Sequence, residues 1–142
     1  MENPESRSIA VTLAQRAAGG MDSAHIAAMI VSIWHDIDAT LRPILGQRGV
    51  ASLYRRSIHL TAVRHPWFAP MQAGMQTALD LPALEATLAT QDSVDAAAGG
   101  GDLLQAFHEL LASLVGTSLT EQLLSSIWAN SSRGDAAQDG SR

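Results

Sequence analysis

The chain has 142 residues, a net charge of −5 and no cysteine. This length suits one domain, and the lack of cysteine excludes disulfides, thiolate zinc sites and a cysteine nucleophile. Hydrophobic residues make up 46% of the chain, which excludes a wholly disordered protein. No apolar run reaches the roughly 18 residues of a membrane span, and residues 1–7 are too polar for a signal peptide. We therefore expect a cytoplasmic globular protein, and the use of arginine without lysine indicates a GC-rich bacterial genome.

The N-terminal third of the chain predicts two helices. Residues 3–5 (Asn-Pro-Glu) are typical of a helix start, and the glycine pair 19–20 ends this first helix. Asp22 or Ser23 caps a second, amphipathic helix, in which Ile or Leu recurs at steps of three and four up to Ile44. Pro43 should kink or end the helix because it removes a backbone donor and crowds the preceding turn.

The middle of the chain predicts a third helix and an apolar loop. The helix covers about residues 50–65, and Pro66 ends it because the residue before a proline avoids helical angles. The loop, residues 66–78, is rich in Trp, Phe and Met and should pack on the domain or on a partner. Apolar periodicity predicts one buried face of the third helix, formed by Val50, Leu53, Tyr54, Ser57, Leu60 and Thr61.

The C-terminal third predicts three shorter elements and a tail. A short helix should follow Asp80, and the Ala/Gly-rich segment 91–101 is interpreted as a flexible segment inside the domain. Asp102 should then cap a leucine-rich helix. Residues 118–121 form a capping box that opens the last helix, and residues 131–142 are expected to be a disordered tail.

These elements predict an all-α fold, because no segment alternates with period two. We expect a helical bundle of five or six helices in a single domain over residues 1–130. An internal similarity relates residues 34–37 to 107–110, both aromatic-His-acid-aliphatic, and each stretch is followed by a glycine, Gly46 or Gly116. If this is a true repeat, the bundle consists of two pseudo-repeated helix-turn-helix hairpins. The alternative is that amphipathic helices broken by glycine resemble each other by default.

Charge is unevenly distributed along the chain. Residues 39–79 contain five arginines and no acidic residue, whereas residues 80–142 carry nine acids and two arginines. Such asymmetry steers an anionic partner or pairs one protomer with the acidic end of another. The side of the third helix opposite its buried face is the candidate partner-binding surface, with Arg48, Arg55, Arg56 and His59.

Large apolar side chains suggest a second kind of contact. Trp and Arg are enriched at interface hot spots, and a domain this small with a long isoleucine seam is expected to form a homodimer. The candidate interface residues are Trp34, Trp67, Phe68 and Trp128.

The five histidines are the main chemical candidates. His35 and Asp38 share a helix face, but the chain has no Glu-x-x-His or His-x-x-x-His pair of the kind that di-iron bundles use, so no metal or other cofactor is expected. Residues 35–37 (His-Asp-Ile) are similar to the start of the phosphoacceptor helix of histidine kinases, from which the chain departs at Asp38 and Thr40. For phosphotransfer, His59 is the stronger candidate because it shares the basic helix face.

Residues 49–56 resemble the turn and recognition helix of helix-turn-helix repressors over eight residues. Pro43 falls where the first helix of that motif should run, and a net charge of −5 suits nucleic acid poorly. No Gly-x-Ser-x-Gly elbow is present, and a chain without lysine has no phosphate-binding Gly-Lys loop, so catalysis is not expected.

The sequence thus predicts a non-enzymatic interaction or regulatory module that binds an acidic or anionic partner through its basic helix. The alternative is a signalling domain with chemistry at a histidine. In that case it either transfers phosphoryl groups or, like a globin-like helical sensor, binds a tetrapyrrole or apolar ligand.

Overall fold

A computed structural model describes residues 4–72, 81–125 and 127, and of these the side chains at 11–71, 81–125 and 127. The described residues are helical and contain no strand, which confirms the all-α prediction. The expected tail, residues 131–142, lies outside them. The elements are α1 (Pro4–Ala18), α2 (Ser23–Arg64), a 3₁₀ segment (Pro66–Gln72), α3 (Leu81–Ala89), α4 (Ser93–Val115) and α5 (residues 117–125).

The long helix α2 begins where the sequence predicted and is interrupted at one residue. The Asp22 side chain accepts a hydrogen bond of 2.9 Å from the backbone N–H of His25, which satisfies one of the unpaired donors of the first turn. Gly46 takes φ 79° and ψ 160°, a conformation that is open to glycine because it has no Cβ. The interruption expected near Pro43 therefore occurs at Gly46, and the described residues form six α-helical segments.

Helix α4 corrects two expectations. Its N-cap is Asp92, which accepts a hydrogen bond of 2.9 Å from the backbone N–H of Asp95, whereas Asp102 lies inside the helix. Within the segment 91–101, expected to be flexible, residues 93–101 form the first turns of α4. Their small side chains let other elements approach closely: a Cβ at Gly100 would lie 2.1 Å from Ile30 Cδ1. This tertiary packing outweighs the low helix propensity of glycine.

The first part of α2 and the whole of α4 repeat each other at an offset of 70 residues. Asp22 and Asp92 cap them, and the positive-φ glycines Gly46 and Gly116 end them. The two helices also bury equivalent positions, namely 26, 27, 30, 31, 33, 34, 37 and 41 in α2 and 96, 97, 100, 101, 103, 104, 107 and 111 in α4. The sequence comparison aligned Trp34 with Phe107, three residues away from this structural correspondence.

The first half of the chain (α1 and α2) and the second half (α3, α4 and α5) interlock. The α2 and α4 helices pack on each other, α1 packs mainly on α4, and α3 packs mainly on α2. Across the centre, the rings of Trp34 and Phe107 meet edge to face with centroids 4.8 Å apart. The described residues therefore share one hydrophobic core, to which each half contributes a long helix and a shorter one.

Candidate binding surface

The second part of α2, from residue 47 to Arg64, holds the predicted basic face. Arg48, Arg55, Arg56 and His59 are all exposed, so the helical period placed them correctly. The opposite side of this helical segment is buried, through Val50, Ala51, Tyr54, Ser57, Ile58 and Thr61.

Two hydroxyl side chains enter the buried side without leaving unsatisfied donors. The Ser57 hydroxyl donates to the carbonyl of Leu53 at 2.8 Å, and the Thr61 hydroxyl donates to the carbonyl of Ser57 at 2.7 Å. Such bonds to the preceding turn satisfy a polar group inside the core. Because both hydroxyls are satisfied, this side of the helix can pack on the core, and the arginines on the opposite side then lie in solvent.

Three of the four basic residues line one open depression of about 370 Å³. Arg55, Arg56 and His59 surround it, and Arg48 is not among its lining residues. The 3₁₀ segment contributes Met71, which the sequence analysis did not assign to the site. The remaining lining residues are Ser52 and Ile58, so the lining combines two arginines, a histidine and a serine with the apolar residues Ile58 and Met71.

The basic face continues into exposed apolar side chains toward the end of α2. Leu60 is 42% exposed and Val63 is 78% exposed. The prediction that Leu60 is buried was wrong, because at 3.6 residues per turn it lies beside the buried stripe of Ser57 and Thr61 and points outward. The surface formed by Arg55, Arg56, His59, Leu60 and Val63 is called the basic–apolar face below.

The end of α2 is held to α4 beside this face. His65 Nε2 and Asp102 Oδ2 are 2.8 Å apart, and Arg64 Nη1 lies 3.7 Å from the same oxygen. The next residues of the chain lead into the 3₁₀ segment, where the indole of Trp67 stacks on Phe68 with ring centroids 4.2 Å apart. The position of Met71 in the depression therefore depends on long-range contacts.

The predicted aromatic interface residues have different fates. Trp34 and Phe68 are fully buried in the core, so the expectation that they lie at an interface was wrong: each packs against other aromatic rings of the same chain. Trp67 is half-buried against the core, and Trp128 lies outside the described residues.

The remaining histidines are distributed over the fold. His25 bonds to Asp22, and the hydrogen bonds from its backbone and its ring lower the pKa of that carboxyl group. His35 is exposed, and its expected neighbour Asp38 forms an ion pair with Arg42. Burial of His108 in α4 lowers its pKa. Within the described part of the chain, no three His, Cys, Asp or Glu side chains are grouped so that they could hold a metal ion.

Comparison with protein-family models, curated proteins and solved structures gives no match to this chain. Among the described helices, none has the length and apolar character needed to cross a membrane.

Proposed function

We propose that the chain is a non-enzymatic interaction module that binds an acidic partner on the basic–apolar face. The observation that carries the proposal is that Arg55, Arg56 and His59 line one open depression together with the apolar residues Ile58 and Met71. Guanidinium groups present several donors in a planar fork and bind carboxylates in a bidentate manner. An acidic side chain seated there meets two such groups.

The internal repeat supports a functional origin of these charges. At the 70-residue offset, Arg48, Arg55, Arg56 and His59 correspond to Ser118, Ser125, Ser126 and Ala129. Positions 50 and 54 in the second part of α2 correspond to positions 120 and 124 in α5, and all four residues are buried. The repeated architecture thus does not need the basic residues, which are present in the first half only.

The expected mode of binding follows from the exposure of the charges. Exposed ion pairs contribute about 0–1 kcal/mol each and are screened by salt. Binding through this face should therefore be fast, moderate in affinity and sensitive to ionic strength. Apolar contacts to Leu60 and Val63 would add a contribution to the binding free energy that salt does not screen.

The test uses fluorescence anisotropy with two fluorescein-labelled peptides of equal length, one of Glu and Ala and one of Lys and Ala. We expect the acidic peptide alone to bind, and more weakly as salt increases. The double charge reversal R55E/R56E should weaken its binding by about tenfold or more, which corresponds to about 1.4 kcal/mol. The double variant R133E/R142E makes the same change of net charge at arginines outside α2 and serves as the control.

Two outcomes contradict the proposal. One is equal binding of the acidic and basic peptides. The other is an equal loss of binding in R55E/R56E and R133E/R142E, because net charge alone would then explain the effect. Circular dichroism of each variant verifies that the helical fold is retained.

Phosphotransfer at His59 is a second candidate, favoured by the exposure of this residue in a depression that is also lined by two arginines, whose charges can neutralise a phosphoryl group. In that case phosphoramidate should phosphorylate the wild-type protein, with ammonia as the leaving group, and mass spectrometry should locate the phosphate on His59. The H59Q variant should stay unmodified. A helical sensor for a tetrapyrrole or another apolar ligand stays a prediction from the sequence.

A further inference from the structure

The polar residues that line the depression share one face of the second part of α2. These residues are Ser52, Arg55, Arg56 and His59, and all four are exposed. At 3.6 residues per turn their positions fall within an arc of about 100° around the helix axis. Each of the four side chains has a hydrogen-bond donor, and the proposed function makes no use of the hydroxyl of Ser52.

This group of side chains offers more donors than one carboxylate can accept. An ionised carboxylate has two oxygens with about four lone-pair sites, and two bidentate guanidinium groups fill these sites. The hydroxyl of Ser52 and the imidazole of His59 would then have no acceptor on the ligand. A phosphate monoester has three terminal oxygens and a charge of about −1.5 to −2, so it has acceptors for all four side chains.

The surroundings of the depression indicate a ligand that is larger than a phosphate ion. Leu60 follows Arg56 by four residues and Val63 follows His59 by four residues, so each lies one turn beyond a basic residue on the same side of the helix. Both apolar side chains are exposed, and a peptide that carries the phosphate would cover them. The described lining of the depression contains no Trp, Tyr or Phe on which a nucleic-acid base would stack.

We infer that the acidic group bound in the depression is the phosphate of a phosphorylated side chain on a partner protein. The inference rests on the proposed function and specifies the chemistry of its partner. The two arginines neutralise the phosphate, Ser52 and His59 donate to its remaining oxygens, and the exposed apolar side chains contact the partner's neighbouring residues. Arginine clusters are a general means of recognising phosphorylated motifs, and binding involves no covalent step.

Fluorescence anisotropy with three labelled peptides tests the inference. The first is the Glu/Ala peptide used above, and in the second a phosphoserine replaces its central Glu. The third keeps that Glu and replaces a neighbouring Ala by Glu, which matches the charge of the phosphopeptide. We expect the phosphopeptide to bind about tenfold more tightly than the charge-matched peptide. Inorganic phosphate at the concentration of the peptide should not displace it.

The S52A variant tests whether the depression is the source of this selectivity. Loss of the hydroxyl should weaken binding of the phosphopeptide by about fivefold and leave binding of the charge-matched peptide unchanged. The S32A variant removes an exposed hydroxyl of the same helix outside the depression, so it serves as the control and should bind like the wild type. The R55E/R56E variant should lose both peptides.

Three outcomes overturn the inference: equal affinity for the phosphopeptide and the charge-matched peptide, an equal loss of both peptides in S52A, and displacement by an equal concentration of inorganic phosphate. If the Glu/Ala peptide still binds in these cases, the proposed function stands with a carboxylate as the bound group. If none of the peptides binds, both proposals fall. Circular dichroism of S52A and S32A verifies that each variant is folded.

Discussion

Replacing Gly99 by alanine adds one methyl group to α4 at the point where the helix contacts the indole of Trp67. A Cβ built at this position would lie 2.5 Å from Cζ2 and 2.6 Å from Cη2 of Trp67, and 3.1 Å from Cε2 of Phe68. Carbon atoms normally pack at about 3.5–4.0 Å, so the ring must move by about 1 Å. The stacked rings of Trp67 and Phe68 lie 24° apart in plane, and Phe68 is fully buried, which leaves the indole no easy path.

Two opposing contributions determine the size of the effect. An added methyl group in a well-packed core costs about 1–3 kcal/mol. Glycine to alanine inside a helix contributes about 0.8–1 kcal/mol in favour of the folded state. We therefore expect the G99A variant to lose about 1 kcal/mol of unfolding free energy, or about 3–4 °C in melting temperature for a chain of this size.

Urea unfolding followed by circular dichroism measures this loss, and a double-mutant cycle assigns it to the indole. In a W67A background the obstructing ring is absent, so G99A should be neutral or stabilising by about 1 kcal/mol. The exposed neighbour Ala98 provides the control: A98G should lose about 1 kcal/mol from helix propensity alone. A G99A variant as stable as the wild type would refute the close packing and favour the flexible segment that the sequence predicted.

Three further predictions concern stability. Burial lowers the pKa of His108 below its usual 6.5, so the imidazole binds a proton more readily in the unfolded chain than in the folded one. The unfolding free energy should therefore fall as pH drops below about 6.5. Urea unfolding at several pH values should show a smaller decrease in the H108L variant. The D102A variant should lose about 1 kcal/mol of unfolding free energy because its bond to His65 is removed. A similar loss in the H65A variant, with no further loss in the D102A/H65A double variant, would assign the effect to this pair. Residues 1–72 and 73–142, produced separately, should be largely unfolded by circular dichroism and regain helicity when mixed, because each half lacks the helices that cover its own long helix.

The large apolar side chains made most of the fold predictable. The isoleucines and leucines of α2 recur at helical spacing, so their burial could be inferred from period alone. A helix start at Asp22 or Ser23 could be inferred from the capping preference of these residue types. The start of α4 could not be inferred in this way, because residues 93–101 contain small side chains and only one large apolar residue, Val94, which is exposed. What makes this segment a helix is its contact with Ile30 and Trp67, and local sequence carries no sign of such distant partners.

The candidate site, too, could be predicted from the sequence only in part. The basic face could be predicted because its members share one side of a single helix. Met71 could not be assigned to it, because that residue reaches the depression through a separate 3₁₀ segment that packs on α2. Leu60 was misplaced because it lies at the edge of the buried stripe, where a step of one residue, about 100° around the helix axis, separates core from solvent.

The internal repeat separates what the fold requires from what it leaves open. Capping residues, positive-φ glycines and buried positions coincide in the two long helices at one constant offset, so one packing solution accounts for both halves. The positions of the basic face do not coincide in sequence: Arg48, Arg55, Arg56 and His59 correspond to Ser118, Ser125, Ser126 and Ala129. Since exposed substitutions away from special features usually change stability by less than about 0.5 kcal/mol, stability gives no reason for this difference. We propose that a difference in binding between the two halves accounts for it.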